Sequence, residues 1–261
     1  MSPASPRRPE WSQIDTVCLD LDGTLLDQAY DNHIWRDLVP QRFAVAQSMD
    51  LHAAYAEIAR RFAERSGTLD WYCIEYWSRS LGVDIGALHR EVRSHVAWLP
   101  GAREFLLRMR SAGKRLLLLT NSHPVALAVK HEQTGVLDYL DAAVTSHDFG
   151  HPKEDARFWH AARERLGFEP GRSLFADDNS RMLDAARSAG VRWVFGVRHW
   201  DTRGSRREHA DHPAVNGVAD LDGAGEGFSG FVAEWGAGIR PSFDGPREPF
   251  PGTASYRPPR R

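Results

Sequence analysis

The stretch VCLDLDGTLLD, residues 17–27, decides the fold and raises the chemical question. It begins as an apolar strand and then turns acidic, with Asp20 and Asp22 one residue apart, followed by Gly23 and Thr24. An apolar run without polar alternation is typical of a strand in a parallel sheet that helices cover on both faces. Carboxylates at the end of such a strand indicate a site at the edge of the sheet where open α/β folds bind ligands.

Four further apolar runs repeat this pattern along the chain. The predicted strands are residues 16–20, 115–120, 142–146, 172–177 and 191–197. Segments with helical periodicity lie between the later strands, at residues 101–113, 123–135 and 152–167, and they open with proline or close with glycine. The sequence therefore predicts an α/β fold, a doubly wound parallel sheet with helices on both faces.

Residues 28–98 do not fit this alternation, because they contain no strand-like run and show helical periodicity instead. We interpret them as an all-helical cap inserted after the first strand, in a position to cover the site. The α/β core then comprises residues 12–27 and 99–200. Residues 201–221 trail the core, and the Gly- and Pro-rich residues 222–261 are predicted to be a disordered tail.

Composition excludes several classes of protein. The 261 residues are 42% hydrophobic and carry a formal net charge of -2, so no basic surface for nucleic acid is expected. There is no apolar segment of the kind found in signal peptides or membrane spans, which favours a cytoplasmic location. The two cysteines, Cys18 and Cys73, lie far apart and fit a reducing compartment better than a disulfide. The oligomeric state is left open.

Polar side chains gather at the edge where the parallel strands end. These residues are Asp20, Asp22, Thr120, Asn121, Lys153, Asp177 and Asp178. Four carboxylates against one ammonium group would repel an anionic substrate unless a cation lies among them. Oxygen ligands without clustered cysteine or histidine are those that Mg²⁺ prefers. The sequence therefore predicts Mg²⁺ as the cofactor of a site that acts on a small phosphomonoester.

The two aspartates after the first strand have separate predicted roles. Asp20, the last residue of its strand, is the candidate nucleophile, because a carboxylate beside Mg²⁺ can form an aspartyl-phosphate that water then cleaves. Asp22 is the candidate general acid for the leaving oxygen and the general base for the attacking water. Most of the rate acceleration must then come from Mg²⁺, Lys153, Thr120 and backbone amides, which neutralise and position the phosphoryl group.

Four motifs carry a resemblance to a known family. DLDGTLLD, LLLLTN, a lone lysine after FGHP, and LFADDNSRMLDAARSAG resemble, in order and spacing, the motifs of haloacid dehalogenase-like (HAD) phosphohydrolases over residues 14–200. The resemblance implies the same roles for Asp20 and Asp22. It also implies that Thr120 and Lys153 bind the phosphate, and we group Asn121 with them.

The resemblance further implies Mg²⁺ ligands at Asp20, Asp22, Asp177 and Asp178, with Asp22 binding through its backbone carbonyl. Many members of the family have a second acid four residues after the motif aspartate, but that position is Met182 in this chain. The second carboxylate is then the adjacent Asp177. We expect Asp178 to contact Mg²⁺ directly, and Asp177 either directly or through water.

Segments inside and outside the cap resemble one branch of the family more closely. DNHIWRDLVP, LDWYCIEYWS and GHPKEDARFWHA are similar to bacterial GMP/IMP nucleotidases, which implies IMP or GMP as the substrate. The alternatives are another small phosphomonoester, such as a sugar phosphate or phosphoglycolate, and a phospho-accepting binding module. A dehalogenase is disfavoured, because displacement of a halide needs neither an acid at Asp22 nor a metal.

Aromatic and histidine candidates keep two interpretations each. Trp71 and Tyr72, near Tyr76 and Trp77, either stack on a purine or pack inside the cap, and packing is the commoner role of aromatic residues. His123 either contacts the phosphate or ribose or simply begins a helix.

Four other polar residues are considered as ligands. Asp31 and Asn32, near the hinge of the cap, either bind substrate or cap the first helix of the cap, and capping is favoured. His147 and His151 lie in a predicted loop without a third ligand, which disfavours zinc.

Overall fold

The structure is a computed structural model, and it describes residues 8–223. Within this range the strands are β1 (Thr16–Leu19), β2 (Arg115–Thr120), β3 (Ala142–Thr145), β4 (Ser173–Asp177), β5 (Trp193–Val197) and β6 (Ala214–Val215). They form one sheet in the order β3-β2-β1-β4-β5-β6, and every neighbouring pair is parallel. The predicted doubly wound parallel sheet is confirmed.

The first strand lies in the interior of the sheet. Cys18 of β1 is in register with Leu117 of β2 on one side and with Phe175 of β4 on the other. The chain runs outward from β1 through β2 to β3 and then returns to the opposite side of β1 at β4. This reversal places Asp20, which follows β1, beside Asp177 at the end of β4, in the crevice where open α/β sheets bind ligands.

The helices between β1 and β2 belong mostly to the predicted cap. They are α1 (Ala29–His33), α2 (Val39–Ala46), α3 (Leu51–Arg65), α4 (Ile74–Leu81), α5 (Ile85–Glu91) and, outside the cap, α6 (Ala102–Ser111). A π-helical turn, Ile34–Leu38, joins α1 to α2, and a 3₁₀ turn, Leu69–Tyr72, precedes α4. Every regular element within residues 28–98 is helical. The exact boundary between core and cap stays a prediction.

The remaining helices follow the later strands. They are α7 (Pro124–Thr134), α8 (Ser146–Phe149), α9 (Ala156–Leu166) and α10 (Ser180–Ser188). α7 begins with proline and ends at Gly135, which has a φ of +67° at its C-cap. These are the start and stop signals on which the helix predictions depended.

Side chains alternate between the two faces of the sheet and pack into two apolar clusters. Val17 and Leu19 of β1 belong to one cluster, whereas Cys18, between them, belongs to the other. The first cluster continues into the cap, where it includes Ile34 and Trp77. Cap and sheet therefore share one continuous apolar core on that face.

The number of strands was underestimated by one. β6 pairs with β5, with Gly196 in register with Ala214, although residues 201–221 had been interpreted only as a segment trailing the core. A Cβ atom at Gly196 would lie 2.5 Å from the ring of His209, so glycine is needed for this segment to pack here. A strand of two residues has no periodicity from which it could be predicted.

The segment around Lys153 also differs from the prediction. Lys153 was expected at the start of a helix, but α9 begins at Ala156, and the Asp155 carboxylate caps it by accepting a hydrogen bond from the Arg157 amide at 2.9 Å. Lys153 lies in the turn before that cap. His147, expected in a loop, lies in α8.

The predicted tail, residues 222–261, lies outside the described residues except for Asp222 and Gly223. Asp222 accepts a hydrogen bond from Arg108 Nε of α6 at 2.6 Å, so it packs with the core rather than with a tail. No helix among residues 8–223 is long and apolar enough to cross a membrane.

Candidate active site

The carboxyl edge of the sheet opens into a cavity of about 490 Å³. Its wall includes all of the residues predicted to gather there: Asp20, Asp22, Thr120, Asn121, Lys153, Asp177 and Asp178. It also includes the further candidates Trp71, Tyr72 and His123. The structure thus brings every site residue named from the sequence to one cavity, whose volume is in the usual range for small ligands, roughly 300–1,000 Å³.

A buried ion-pair cluster holds the predicted nucleophile. Lys153 Nζ donates to Asp20 Oδ1 at 2.5 Å and to Asp177 Oδ2 at 2.7 Å, and the lysine is only 2% exposed. Burial raises the pKa of Asp20 to about 7 against the opposing effect of Lys153, and Asp177 adds to the rise. Burial alone would lower the pKa of Lys153, but Asp177 and Asp20 outweigh it and hold that pKa above its ordinary value. We call these three residues the Lys153 cluster.

Three buried carboxylates lie close enough to share a cation. One oxygen atom from each of Asp20, Asp177 and Asp178 lies within 4.8 Å of the others. Burial, together with the neighbouring Asp177, raises the pKa of Asp178 well above its ordinary value. Carboxylate oxygens in this arrangement are the donors that hard divalent cations take, so the residues present fit such an ion.

The two motif aspartates, Asp177 and Asp178, differ in what they contact. Both Asp177 oxygens are engaged, because Oδ2 accepts from Lys153 and Oδ1 accepts from the Asn179 amide at 2.8 Å. Asp178 is bound on one side by Arg207, which donates to its Oδ2 and, at 3.0 Å, to its backbone carbonyl. Arg207 comes from the segment after β5, and sequence reasoning missed it because no motif marks it.

A glycine in the first motif makes room for Asp178. Gly23 has a φ of +81°, and a Cβ atom built on it would lie 2.8 Å from Asp178 Cγ. The left-handed turn and the missing side chain let the turn after β1 approach the carboxylate that follows β4. The DGT sequence is therefore required by close packing between two loops as well as by chemistry.

Polar residues after β2 support the loop that carries Lys153. Asn121 Oδ1 accepts from the Lys153 amide at 2.9 Å, and its Nδ2 donates to Glu154 at 3.2 Å. Thr120 Oγ1 accepts from the Ser122 amide at 3.0 Å. Phosphate binding by Thr120, Asn121 and Lys153 stays a prediction.

A second buried lysine holds the predicted acid/base. Lys130 Nζ of α7 donates to Asp22 Oδ1 at 2.7 Å and lies 2.9 Å from Asp31 Oδ2, and the lysine is 1% exposed. Burial raises the pKa of Asp22, and Lys130 opposes the rise. We call Lys130, Asp22 and Asp31 the Lys130 cluster. From the sequence we counted one lysine at the site, and that count was wrong. The only sequence signal that could have pointed to Lys130 is the scarcity of lysine in this chain.

Asp31 and Asn32 do not cap the first helix of the cap, contrary to the prediction. Both lie inside α1, whose N-cap residue is Gln28, and the preceding Asp27 carboxylate accepts from the Ala29 amide at 2.9 Å. Asn32 instead donates to Asp201 at 2.6 Å. Asp31 thus brings a charge from the cap to the catalytic edge of the core.

Aromatic side chains from the cap form the opposite wall of the cavity. Trp71 lines it together with Trp35 and Phe62, and the Trp71 and Phe62 ring centroids are 5.3 Å apart. Tyr72 also lines the cavity, and its hydroxyl donates to Glu154 at 2.7 Å. Trp77 is 1% exposed and packs within the cap instead. The cap therefore adds aromatic faces to the acidic cavity, together with the charged side chains of Asp31 and Arg36.

His123 begins a helix, as one of its two interpretations predicted, and it also lines the cavity. It is the N-cap of α7, where Nδ1 accepts from the Val125 amide at 3.3 Å. Its Nε2 lies 2.6 Å from Glu75 Oε2 of the cap. Contact with a phosphate or ribose stays a prediction.

The fold and this edge of the sheet define a hydrolase of the haloacid dehalogenase-like class, with carboxylates after β1 and β4 and a lysine before α9. Residues 14–190 match the family model described as "Hydrolase: haloacid dehalogenase-like hydrolase". The chain belongs to this family, which confirms the predicted family and the prediction of an enzyme.

Individual relatives agree with this placement. The chain is 40% identical over 206 residues to the GMP/IMP nucleotidase YrfG of Escherichia coli (strain K12), covering 79% of this chain and 93% of that protein. It is 27% identical over 183 residues to a phosphoglycolate phosphatase of Nitrosospira multiformis, covering 68% and 80%. The crystal structure of a HAD phosphatase from Thermococcus onnurineus shares the fold, with a TM-score of 0.70 at 20% identity over 82% of this chain and 99% of that chain.

Proposed function

We propose that this chain is a Mg²⁺-dependent phosphomonoesterase that hydrolyses purine nucleoside 5′-monophosphates, IMP or GMP, to nucleoside and phosphate. The observation that carries the proposal is the placement of Asp20 and Asp22 in one cavity between two buried lysines, with an aromatic wall opposite. The similarity to a GMP/IMP nucleotidase over 93% of that protein supports the choice of substrate.

Asp20 is the nucleophile in this mechanism. Its Oδ1 is held by Lys153, which leaves Oδ2 to attack phosphorus and form an aspartyl-phosphate. The Lys153 ammonium group also faces the phosphoryl oxygens on which negative charge develops. Because Lys153 contacts Asp20 and Asp177 together, it fixes the nucleophile relative to the end of β4.

Asp22 is the general acid and base. Burial raises the pKa of Asp22, so the carboxyl group can carry the proton that the leaving nucleoside oxygen needs. Lys130 binds Oδ1, which leaves Oδ2 of this cavity-lining residue for proton transfer. After the nucleoside leaves, the Asp22 carboxylate takes a proton from the water that cleaves the aspartyl-phosphate.

Asp20, Asp178 and the Asp22 backbone carbonyl would hold Mg²⁺, which would neutralise the phosphoryl oxygens. Asp177 is the weaker candidate for direct contact, because Lys153 and the Asn179 amide already engage both of its oxygens. We therefore propose that Asp177 reaches the ion through water. Arg207 keeps Asp178 oriented from the opposite side.

The cap side of the cavity supplies the substrate preference. Trp35, Phe62 and Trp71 line the cavity there, and flat aromatic faces suit a purine base. A sugar phosphate or phosphoglycolate has no ring of this kind, so it would leave the aromatic wall uncovered. Stacking on this wall is the reason to favour a nucleotide over the smaller phosphomonoesters.

The test is phosphate release from IMP, GMP, AMP, a sugar phosphate and phosphoglycolate, each with and without Mg²⁺. We expect turnover only with the ion, highest kcat/KM for IMP or GMP, and none in Asp20→Asn. Equal kcat/KM for the sugar phosphate and IMP would contradict the nucleotidase, while leaving the phosphatase intact. No release from any substrate would contradict both.

A further inference from the structure

A second cluster of candidate metal ligands lies where the cap meets the core. Cys73, immediately before α4, His123 at the start of α7 and His147 in α8 each place one ligand atom within 4.8 Å of the other two. From the sequence, the pair His147 and His151 was expected to lack a third ligand. The fold instead groups His147 with Cys73 and His123, and His151 is not part of this cluster.

The two histidines differ in the state of their ring nitrogens. His123 Nδ1 accepts from the Val125 amide, so the proton of the neutral ring lies on Nε2, 2.6 Å from Glu75 Oε2, and a metal at Nε2 requires the other tautomer, with the Val125 contact given up. His147 Nε2 is buried and has no hydrogen-bond partner among the described residues. Native structures rarely leave such a buried ring nitrogen without a partner, and an ion is one way to satisfy it.

Glu75 supplies a fourth donor. Its Oε2 lies 2.6 Å from His123 Nε2 and accepts from Cys73 Sγ at 3.7 Å. One carboxylate oxygen therefore contacts both a histidine and the cysteine of the cluster. Its charge also acts on His147, whose pKa it raises against the larger effect of burial.

The histidines and the cysteine of the cluster differ in protonation. Burial lowers the pKa of His123 and of His147 to about 4, so both imidazoles are neutral at pH 7. Burial raises the pKa of the Cys73 thiol, and Glu75 adds to the rise, so a metal ion would have to displace the thiol proton. Packing alone accounts for the perpendicular contact of the two rings, 4.5 Å apart, but not for the unpartnered nitrogen.

We propose that Cys73, Glu75, His123 and His147 form a transition-metal site, and that Zn²⁺ is the ion it takes. One thiolate, two imidazoles and one carboxylate match the borderline-soft donors of zinc, unlike the all-oxygen Asp20, Asp177 and Asp178 set. In a tetrahedral zinc site, ligand atoms lie about 3.5 Å apart, so any donors at the outer limit of 4.8 Å would have to approach by roughly 1 Å. Thiolate and carboxylate charges together balance the dication.

The position of this site gives the ion a structural effect. Cys73 and Glu75 belong to the cap, whereas His123 and His147 belong to the core, and His123 also lines the active-site cavity. A bound ion therefore joins α4 to α7 and α8 beside the cavity. It restrains the opening of the cap that substrate entry and product release require.

The test uses Co²⁺ as a spectroscopic substitute for Zn²⁺, added to metal-stripped protein in excess Mg²⁺. We expect one equivalent to give a near-ultraviolet thiolate-to-cobalt band and intense visible bands of tetrahedral cobalt, all removed by Zn²⁺. Cys73→Ser should abolish the near-ultraviolet band, and His147→Gln should weaken binding by about tenfold or more. The matched controls, Cys18→Ala and His151→Gln, should bind as the unmodified chain does.

Two further measurements distinguish a lost ligand from a misfolded variant. Circular dichroism of Cys73→Ser should match the unmodified protein, so that loss of the band reflects a lost ligand. Zn²⁺ should raise the Tm of the unmodified chain but not of Cys73→Ser. A cobalt spectrum without a thiolate band, or a band that persists in Cys73→Ser, would overturn the proposal and leave only the aspartate site for divalent ions.

Discussion

Two buried lysines organise the cavity in the same way but from different parts of the chain. In the Lys153 cluster the ammonium group lies between Asp20 and Asp177, and in the Lys130 cluster it lies between Asp22 and Asp31. Both lysines are almost fully buried, at 2% and 1% exposure. Each cluster thus neutralises one of the two aspartates on which the proposed chemistry depends.

The difference between the clusters is their origin. All members of the Lys153 cluster come from the core, at the ends of β1 and β4 and in the turn before α9. The Lys130 cluster spans the turn after β1, α7 and α1, so Asp31 contributes a charge from the cap. A movement of the cap would therefore disturb the environment of Asp22 directly, and that of Asp20 only indirectly, through the charge of Asp22. Nucleophile and acid/base differ in their dependence on cap closure.

Asp20→Asn is expected to have the largest effect on activity, because the amide cannot attack phosphorus. We expect kcat to fall by roughly 10⁴-fold or more, the scale of losses when a nucleophile is removed. Steady-state phosphate release is the measurement. Asp37→Asn, an exposed carboxylate on the cap, is the control and should keep its activity. A loss of less than tenfold in Asp20→Asn would remove the Lys153 cluster from the chemistry.

Lys130→Met is expected to have the largest effect on stability. It leaves Asp22 and Asp31 buried without their cation, and breaking a buried ion pair from one side costs about 3–5 kcal/mol. Urea unfolding of the metal-free protein measures this cost. Lys130→Met with Asp31→Asn should recover part of it, since one buried charge is then removed. A cost below about 1 kcal/mol would show that the cap does not depend on this cluster.

Low pH is expected to lower the free energy of unfolding through protonation of His89, which lies near the Lys130 cluster. Burial lowers the pKa of His89 to about 3, and its Nδ1 is 3.0 Å from the Tyr30 hydroxyl, whose ring lies beside Lys130. The charged and titratable groups that face His89 are Lys130, Asp22, His123 and Arg90. Below about pH 6.5, His89 is therefore protonated in the unfolded chain while it stays neutral in the folded state.

Stability should therefore be fully present above pH 6.5 and fall as the pH drops from 6.5 toward 3, by up to about 1.4 kcal/mol per pH unit. His89→Gln should flatten this slope. Urea unfolding at pH 7, 6 and 5 compares the two proteins, with exposed His52→Gln as the control. Parallel slopes for the unmodified chain and His89→Gln would contradict the assignment.

Thr120→Val is expected to have the smallest effect of the four. It removes a hydroxyl that accepts from the Ser122 amide at 3.0 Å, and a neutral hydrogen bond contributes about 0.5–1.5 kcal/mol. We expect kcat/KM to fall by roughly 5- to 10-fold with both lysine clusters intact. A loss comparable to that of Asp20→Asn would mean that Thr120 has a larger role than orienting the loop after β2.

Much of the core could be predicted because the signals that mark its strands and helices are local in the sequence. The apolar composition of the run that ends in Asp20 indicates a buried strand. Pro124 and Gly135 mark the two ends of α7, because proline favours a helix start and glycine a helix end. Asp177 and Lys153 reach the site because strand order places the carboxyl ends of β1 and β4 side by side. The Lys153 cluster was therefore open to sequence reasoning.

The residues that were missed depend on packing between distant segments. Lys130 and Asp31 are 99 residues apart, and nothing near either shows that they form a pair. Arg207 follows the last long strand in a segment without periodicity, yet it holds Asp178. Asp31 was expected to cap a helix because short polar residues at a helix start usually do so.

The sequence by itself determined the family, the parallel sheet and the acidic edge that carries the proposed chemistry, because strand composition and motif spacing are local properties of the chain. Only the tertiary structure decided which charges neutralise which aspartates, and that Cys73, His123 and His147 meet where cap and core join. The physical reason is that a buried charge or ligand is completed by whatever side chain the folded backbone brings within about 3 Å, whatever its distance along the chain.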